Sequence, residues 1–156
     1  VNSLGIARFL AHPRSNPTKL SGLRRSSLFC GFSEKDLSRL AANLDEVTVP
    51  AGTVLVSEGR RNTAFWLVLD GTATVSIRGR ERRSIGPGGH FGATSMFDGL
   101  GASATVVAST PLRALVAGAE QFRALEGNRT VSARMRSESE KRLRSDLMAV
   151  VSGDAP

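Results

Sequence analysis

Cysteine, tyrosine and tryptophan are scarce in this chain of 156 residues, which has one cysteine, no tyrosine and one tryptophan. A single cysteine, Cys30, excludes an internal disulfide and fits a reducing cytosol, so we predict a cytoplasmic protein and interpret Cys30 as a small buried residue. No apolar run has the length needed to cross a bilayer. The run at 4–10 is interrupted by Arg8, which is not the layout of a signal peptide.

Residue patterns that carry catalysis or metal binding are also missing. The glycine-rich run at 86–89 lacks the Gly-Lys-Ser/Thr of a P-loop, and no serine occupies a Gly-x-Ser-x-Gly elbow. His12 and His90 are far apart, with no carboxylate or thiol at metal-ligand spacing. Two acidic pairs are interpreted as exposed helix charges, namely Asp45 with Glu46 and Glu138 with Glu140. We therefore predict no enzyme activity, no metal site and no cofactor.

The net charge of +7 comes mostly from arginine. Nucleic-acid-binding sites usually combine a basic face with stacking aromatics or a recognition helix. Here the arginines are scattered along the chain and aromatic residues are few. We therefore interpret the charge as a solvated basic surface and expect no direct DNA binding.

Helical and strand patterns divide the chain into three parts. Ser33 is typical of an N-cap, and apolar residues at helical spacing follow over 37–44. Between 53 and 116, short β-prone runs alternate with glycine turns, which favours an antiparallel sandwich or barrel over βαβ units. A short helix is expected within this region at 93–97, and a long helix at 128–150.

These patterns predict a mainly β fold with flanking helices. The expected architecture is an antiparallel β-roll, a double-stranded arrangement like a jelly roll, with an N-terminal helix and a C-terminal helix. We assign 1–19 to an irregular N-terminal arm, 20–150 to the domain and 151–156 to a loose tail. Phe65 and Trp66 are neighbours on one predicted strand, so their side chains should lie on opposite faces of it.

The predicted C-terminal helix carries a narrow apolar stripe that Ser139 interrupts. The stripe consists of Val131, Met135, Leu143 and Leu147. It could pack on the roll or on a second chain, so a weak homodimer through this helix is one alternative. Four arginines are expected largely outside the stripe: Arg134, Arg136, Arg142 and Arg144.

Four segments, taken in order, resemble the cyclic-nucleotide-binding domain family, whose members include catabolite-activator-type regulators, kinase regulatory subunits and nucleotide-gated channels. The segments are 23–52, the glycine-framed 58–71, the turn Ile-Gly-Pro-Gly-Gly-His-Phe-Gly at 85–92, and 105–122. The resemblance extends over 20–147 and implies a β-roll that binds a cyclic nucleotide. The helix-turn-helix module of the transcription-factor branch has no room before Pro156.

The family's phosphate-binding cassette implies where a nucleotide would be held. Its pattern is Phe-Gly-Glu, a short helix and Arg-Ser/Thr-Ala, in which the glutamate holds the ribose hydroxyl and the arginine holds the phosphate. The segment 91–105 aligns without a gap and has Ala93 at the glutamate position and Ala102 at the arginine position. The ligand-pocket positions implied by the resemblance are Gly92, Ala93, Thr94, Ser95, Ala102, Ser103 and Ala104.

The two alanines remove both charged anchors from the cassette. Losing a hydrogen bond to a charged group costs about 1.5–3 kcal/mol, so two losses weaken binding by about a hundred- to ten-thousand-fold. Several side chains could compensate by turning inward or by donating to a phosphate: Arg82, Arg83, Arg113, Thr94 and Ser95. The alternative is that these arginines point to solvent.

The resulting hypothesis is a non-catalytic regulatory or adaptor domain with weak or no binding of cAMP and cGMP, acting through contacts with an unidentified protein partner. Two alternatives stay open. One is a working sensor that binds a cyclic nucleotide or a less polar ligand in the β-roll pocket. The other is the sensor part of a truncated transcription regulator.

Overall fold

Helices flank the strands on both sides along the described chain, which comprises residues 17–152 of a computed structural model. The helices are α1 (Pro17–Arg25), α2 (Glu34–Ala41), α3 (Ala93–Asp98), α4 (Ala119–Glu126) and α5 (Arg129–Val151), with a 3₁₀ turn at Ser27–Phe29. The strands are β1 (Asp45–Val49), β2 (Val54–Val56), β3 (Phe65–Asp70), β4 (Ala73–Ile77), β5 (Arg80–Ile85), β6 (His90–Phe91), β7 (Thr105–Ala108) and β8 (Leu112–Ala117).

The strands form two four-stranded antiparallel sheets in the orders β1-β8-β3-β6 and β2-β7-β4-β5. Residues between the sheets build one apolar core, and the outer face of the first sheet builds a second core with the helices. The predicted antiparallel β-roll with flanking helices is therefore confirmed. Strand β3 is apolar throughout its first five residues because both of its faces are covered.

Phe65 and Trp66 show how β3 serves both cores. Trp66 points into the roll, where its ring stacks on Phe91 with centroids 5.9 Å apart. Phe65 points to the helices, where its ring lies 5.8 Å from that of Phe122. The prediction of opposite faces is confirmed, and both side chains are fully buried.

Several element boundaries in the structure differ from those predicted from the sequence. Helix α1 begins at Pro17, so the last three residues of the predicted arm are helical, while residues 1–16 and 153–156 lie outside the described part. Helix α5 ends at Val151, one residue inside the predicted tail. The two-residue strand β6 was not predicted, because it is too short to show an alternating pattern.

Ser33 caps α2 as predicted, since its hydroxyl accepts a hydrogen bond from the Asp36 amide at 3.1 Å. The interpretation of Cys30 was wrong, because this residue is exposed. Its backbone carbonyl accepts a hydrogen bond from Arg134 at 2.9 Å, and the Leu28 carbonyl accepts another at 3.0 Å. Arg134 thereby ties α5 to the 3₁₀ turn instead of pointing away from the domain.

The interpretation of Asp45 and Glu46 as helix charges was also wrong. Both lie on β1, and Glu46 is buried at 4% exposure. A buried carboxylate needs a partner, and Glu46 has one in Arg113 on the neighbouring strand β8, with 3.3 Å between Nη1 and Oε2. Arg113 is therefore committed to a structural ion pair.

No helix within residues 17–152 combines the length and the hydropathy that a membrane span requires.

Candidate functional site

The candidate site begins where β6 passes into α3. Gly92 separates the two elements and has φ of 98°, a left-handed conformation that favours glycine. A Cβ atom at this position would lie 2.4 Å from the Ala64 carbonyl oxygen. The buried Asn62 amide donates to the Ala64 carbonyl at 2.7 Å and to the Gly92 carbonyl at 2.9 Å. Asn62, which the sequence interpretation missed, therefore holds the start of α3 against β3.

The second half of the cassette is held by its backbone. The Ala102 amide donates to the Arg60 carbonyl at 2.8 Å, and the Ala102 carbonyl accepts from the Gly59 amide at 2.8 Å. A Cβ on Gly101 would lie 2.5 Å from the Gly59 carbonyl oxygen, so the two loops are in close contact. The glycine-framed turn at 58–61 thus positions the segment that contains Ala102.

All seven sequence-predicted ligand positions line one cavity of about 50 Å³. They are Gly92, Ala93, Thr94, Ser95, Ala102, Ser103 and Ala104. The two alanines are buried at 3% and 8% exposure. Pockets that enclose a drug-sized ligand have volumes of about 300–1,000 Å³, whereas about 50 Å³ accommodates a few water molecules.

Among the arginines considered as replacements, only Arg83 lines this cavity within the described structure. Arg113 pairs with Glu46, and Arg82 is half-buried on β5 away from the cavity lining. Arg83 is itself paired with Asp146 of α5: its Nη1 donates to Oδ1, and its Nη2 donates to Oδ2 at 3.3 Å. Asp146 is buried at 5% exposure. One of the three arginines that could compensate therefore does reach the cavity, but a carboxylate of the same chain already binds it.

Helix α5 covers the cavity with polar side chains. Ser139 and Arg142 line it, and Arg142 Nη1 donates to the His90 carbonyl at 2.6 Å. Burial first, and then the neighbouring Arg83 charge, lower the pKa of Arg142. Arg142 was predicted to lie outside the helix stripe, and this prediction was wrong.

Helix geometry explains why Arg142 faces the roll. At 100° per residue, position 142 lies about 20° from position 131 around the axis, whereas position 143 lies about 120° away. Val131 and Met135 are fully buried, but Leu147 is 56% exposed. The inward face therefore continues through polar residues. The sequence does contain one signal of this polar inward face. Ser139 interrupts the apolar stripe, and in the structure it lines the cavity together with Arg142.

His90 and Glu138 form a second polar contact beside the cavity. His90 Nε2 lies 3.0 Å from Glu138 Oε1, and Glu138 Oε2 accepts from the Ser27 hydroxyl at 2.5 Å. The hydrogen bond from His90 is the main cause that lowers the pKa of Glu138 to about 2, and burial lowers the pKa of His90 below its usual 6.5. At neutral pH a neutral His90 therefore donates from Nε2 to an ionised Glu138. Glu138 is thus a structural contact, not the free helix charge that was predicted.

The described residues contain no group of three or more histidine, cysteine, aspartate or glutamate side chains arranged to hold a metal ion. His12, the other histidine considered, lies outside the described range.

Comparison with known families identifies the domain. A family model described as "Cyclic nucleotide-binding domain" matches residues 46–139, which is more than half of the chain. The chain belongs to the cyclic nucleotide-binding domain family. This confirms the resemblance stated from the four sequence segments.

Relatives of this cyclic nucleotide-binding domain are regulatory proteins. A cAMP-dependent protein kinase regulatory subunit from Yarrowia lipolytica is 29% identical over 116 residues, which cover 67% of this chain and 31% of the relative. A similar relative from Eremothecium gossypii is 32% identical over 106 residues, covering 67% of this chain and 23% of that protein. The chain therefore spans less than a third of the length of the curated relatives it matches.

A solved structure with the same fold is the catabolite activator protein of Thermus thermophilus, with a TM-score of 0.71, 24% identity and coverage of 80% of this chain and 62% of that chain. A regulatory subunit of a cAMP-independent protein kinase A from Trypanosoma brucei has a TM-score of 0.70 at 18% identity, covering 88% of this chain and 47% of that chain. These likenesses show the shared fold.

Proposed function

We propose that this cyclic nucleotide-binding domain is a non-catalytic, cytoplasmic regulatory or adaptor domain that binds cAMP and cGMP weakly or not at all and acts through protein contacts. The observation that supports this proposal is the small cavity of about 50 Å³ with Ala93 and Ala102 in its wall. A cyclic phosphate brings a negative charge into a β-roll and needs a charged partner there. The alanine at the arginine position supplies none, and Arg83 is bound to Asp146.

The fold is compatible with regulation independent of cAMP. The T. brucei structural neighbour is described as the regulatory subunit of a cAMP-independent protein kinase A. A regulatory role also fits the kinase regulatory subunits among the relatives. For this chain, loss of cyclic-nucleotide binding remains the proposal that the cavity supports best.

Isothermal titration calorimetry tests the proposal directly. We expect no saturable heat when cAMP or cGMP is added to the wild-type chain up to about 100 μM, because loss of two charged contacts moves a micromolar site toward millimolar affinity. A thermal-shift measurement with the same nucleotides should show no rise in melting temperature. A micromolar dissociation constant for either nucleotide would overturn the proposal.

The end of α5 supplies a surface for protein contacts. Leu147, Met148 and Val151 are 56%, 62% and 78% exposed and lie within two turns of one another. Large apolar side chains grouped on a surface commonly mark protein contacts. A second copy of the chain is the partner we infer first, because the helix can present the same face to its equivalent.

Sedimentation equilibrium checks the homodimer. We expect the wild-type chain to self-associate weakly at high concentration, and Leu147→Ser together with Val151→Ser should abolish the association. Val54→Ser is the matched control, because Val54 is 49% exposed on β2 and should leave the association unchanged. A monomer at every concentration would contradict the homodimer.

A further inference from the structure

Two arginines separate the inner cavity from an open groove on the surface. The groove has a volume of about 470 Å³ and is lined by residues of α5, β5 and the 3₁₀ turn. Arg83 and Arg142 line both the groove and the cavity of about 50 Å³. Access from the groove to the cassette residues therefore depends on where these two guanidinium groups are held.

Each of the two arginines donates a hydrogen bond to a residue of another element. Asp146 binds Arg83 through both of its carboxylate oxygens, and its side chain is only 7% exposed. A carboxylate this buried is stable only while its partner stays in place. The His90 carbonyl accepts a hydrogen bond from Arg142 at 2.6 Å. Arg83 and Asp146 are 63 residues apart in the chain, so their contact joins β5 to the last turns of α5.

Each arginine at the gap has a carboxylate of the same chain close to it, and Lys141 adds a further positive charge on the groove. Arg83 and Arg142 contribute two positive charges, and Glu138 and Asp146 contribute two negative charges. The neighbouring His90 is neutral, because burial lowers its pKa. The site therefore has an internal carboxylate where an anionic ligand would otherwise be attracted.

Apolar contacts hold the two halves of α5 unequally. Val131 and Met135 are fully buried in the helix-side core, so burial stabilises the first half. In the second half, Leu147, Met148 and Val151 are exposed, and the partly buried Val150 packs against the roll core. The polar contacts of Arg142 and Asp146 therefore make up much of what fastens this half to the roll.

We propose that Arg83, Arg142 and Asp146 form a latch that keeps the second half of α5 closed over the cassette without a ligand. Asp146 acts in this latch as a built-in anion that occupies Arg83. Opening requires the Arg83–Asp146 pair and the Arg142–His90 contact to break together, so an anion that enters must compete with Asp146. This inference concerns how α5 is held, and it stands whether or not a nucleotide binds.

Hydrogen–deuterium exchange of the full chain, measured without nucleotide, tests the latch. Asp146→Asn and Arg83→Met should each raise the exchange rate of amides in 142–151 by roughly ten- to a hundredfold, because a charge-assisted hydrogen bond is lost. The double variant should exchange no faster than the faster single variant, since both changes remove one contact. Arg142→Met, which leaves the ion pair in place, should open the same segment by a smaller factor.

Lys141→Met is the matched control, because Lys141 lines the groove but not the cavity. Its exchange in 142–151 should equal that of the wild type, and the strands β3 and β8 should stay protected in every variant. Unchanged exchange in both single variants would overturn the latch. Additive effects in the double variant, or equal loss of protection throughout the domain, would overturn it too. Because no nucleotide is present, these results are independent of the calorimetric test of the proposed function.

Discussion

Replacing Ala93 by glutamate and Ala102 by arginine together should raise the affinity of the chain for cAMP by about a hundred- to ten-thousand-fold. The cassette framework for the two new side chains is already in place. Gly92 begins α3 in the left-handed conformation, and the Ala102 backbone is fixed to the 58–61 turn by two hydrogen bonds of 2.8 Å. The new arginine would supply a cation that Asp146 does not already bind.

The same variant should be less stable than the wild type when no nucleotide is present. Both positions are buried, and a buried charge without a full set of partners is costly. Adding cAMP should then raise the melting temperature, because a ligand that binds only the folded state stabilises it. Calorimetry and thermal shift together measure the two effects.

The matched control is Ala93→Gln with Ala102→Met, which adds side chains of similar size without charge. It should lose stability in the same way but gain no affinity for cAMP. Equal affinity in the control and the charged variant would contradict the assignment of these two positions as the missing anchors. No binding by the charged variant would show that more than the two charges prevents binding.

Gly92→Ala should lower the free energy of unfolding by about 2–5 kcal/mol. A left-handed backbone costs a non-glycine residue about 1–2 kcal/mol, and overpacking against a fixed neighbour adds about 1–3 kcal/mol. The neighbour here is the Ala64 carbonyl oxygen, 2.4 Å from the added Cβ, and it lies next to strand β3. For a domain of this size, the expected fall in melting temperature is roughly 5–15 °C.

Gly99→Ala is the control for the backbone part of this effect. Gly99 follows the other end of α3 with φ of 71°, and an added Cβ there meets no atom within 4 Å. The free energy of unfolding of Gly99→Ala should therefore fall only by the conformational cost of about 1–2 kcal/mol. Urea unfolding of both variants gives the comparison, and equal losses would refute the close approach of Gly92 to Ala64.

Most strands could be predicted because their patterns are local. Strands β4 and β7 both lie within the region of short β-prone runs predicted between 53 and 116, since β-prone residues are followed by turn residues in each case. The seven cassette positions form two short consecutive runs, and the structure brings both runs to one cavity. Helix α1 was missed, because Pro17 and the polar residues around it resemble an irregular arm.

The partners of the cassette could not be predicted from local patterns. Arg83 meets Asp146 across 63 residues, and His90 meets Glu138 across 48. The apolar stripe of α5 predicted an inward face that includes Leu143 and Leu147, whereas the face that meets the roll continues through Ser139 and Arg142. Periodicity identifies apolar faces, but it does not show where a buried face becomes polar.

The sequence by itself determined the family, the β-roll and the presence of alanine at 93 and 102, because each depends on residue types in a fixed local order. Only the tertiary structure decided that the cavity is small and that Arg83 is already paired, because both follow from the way α5 lies across the roll. Electrostatic pairing depends on the distance between charges in space, and positions far apart in the sequence do not reveal that distance.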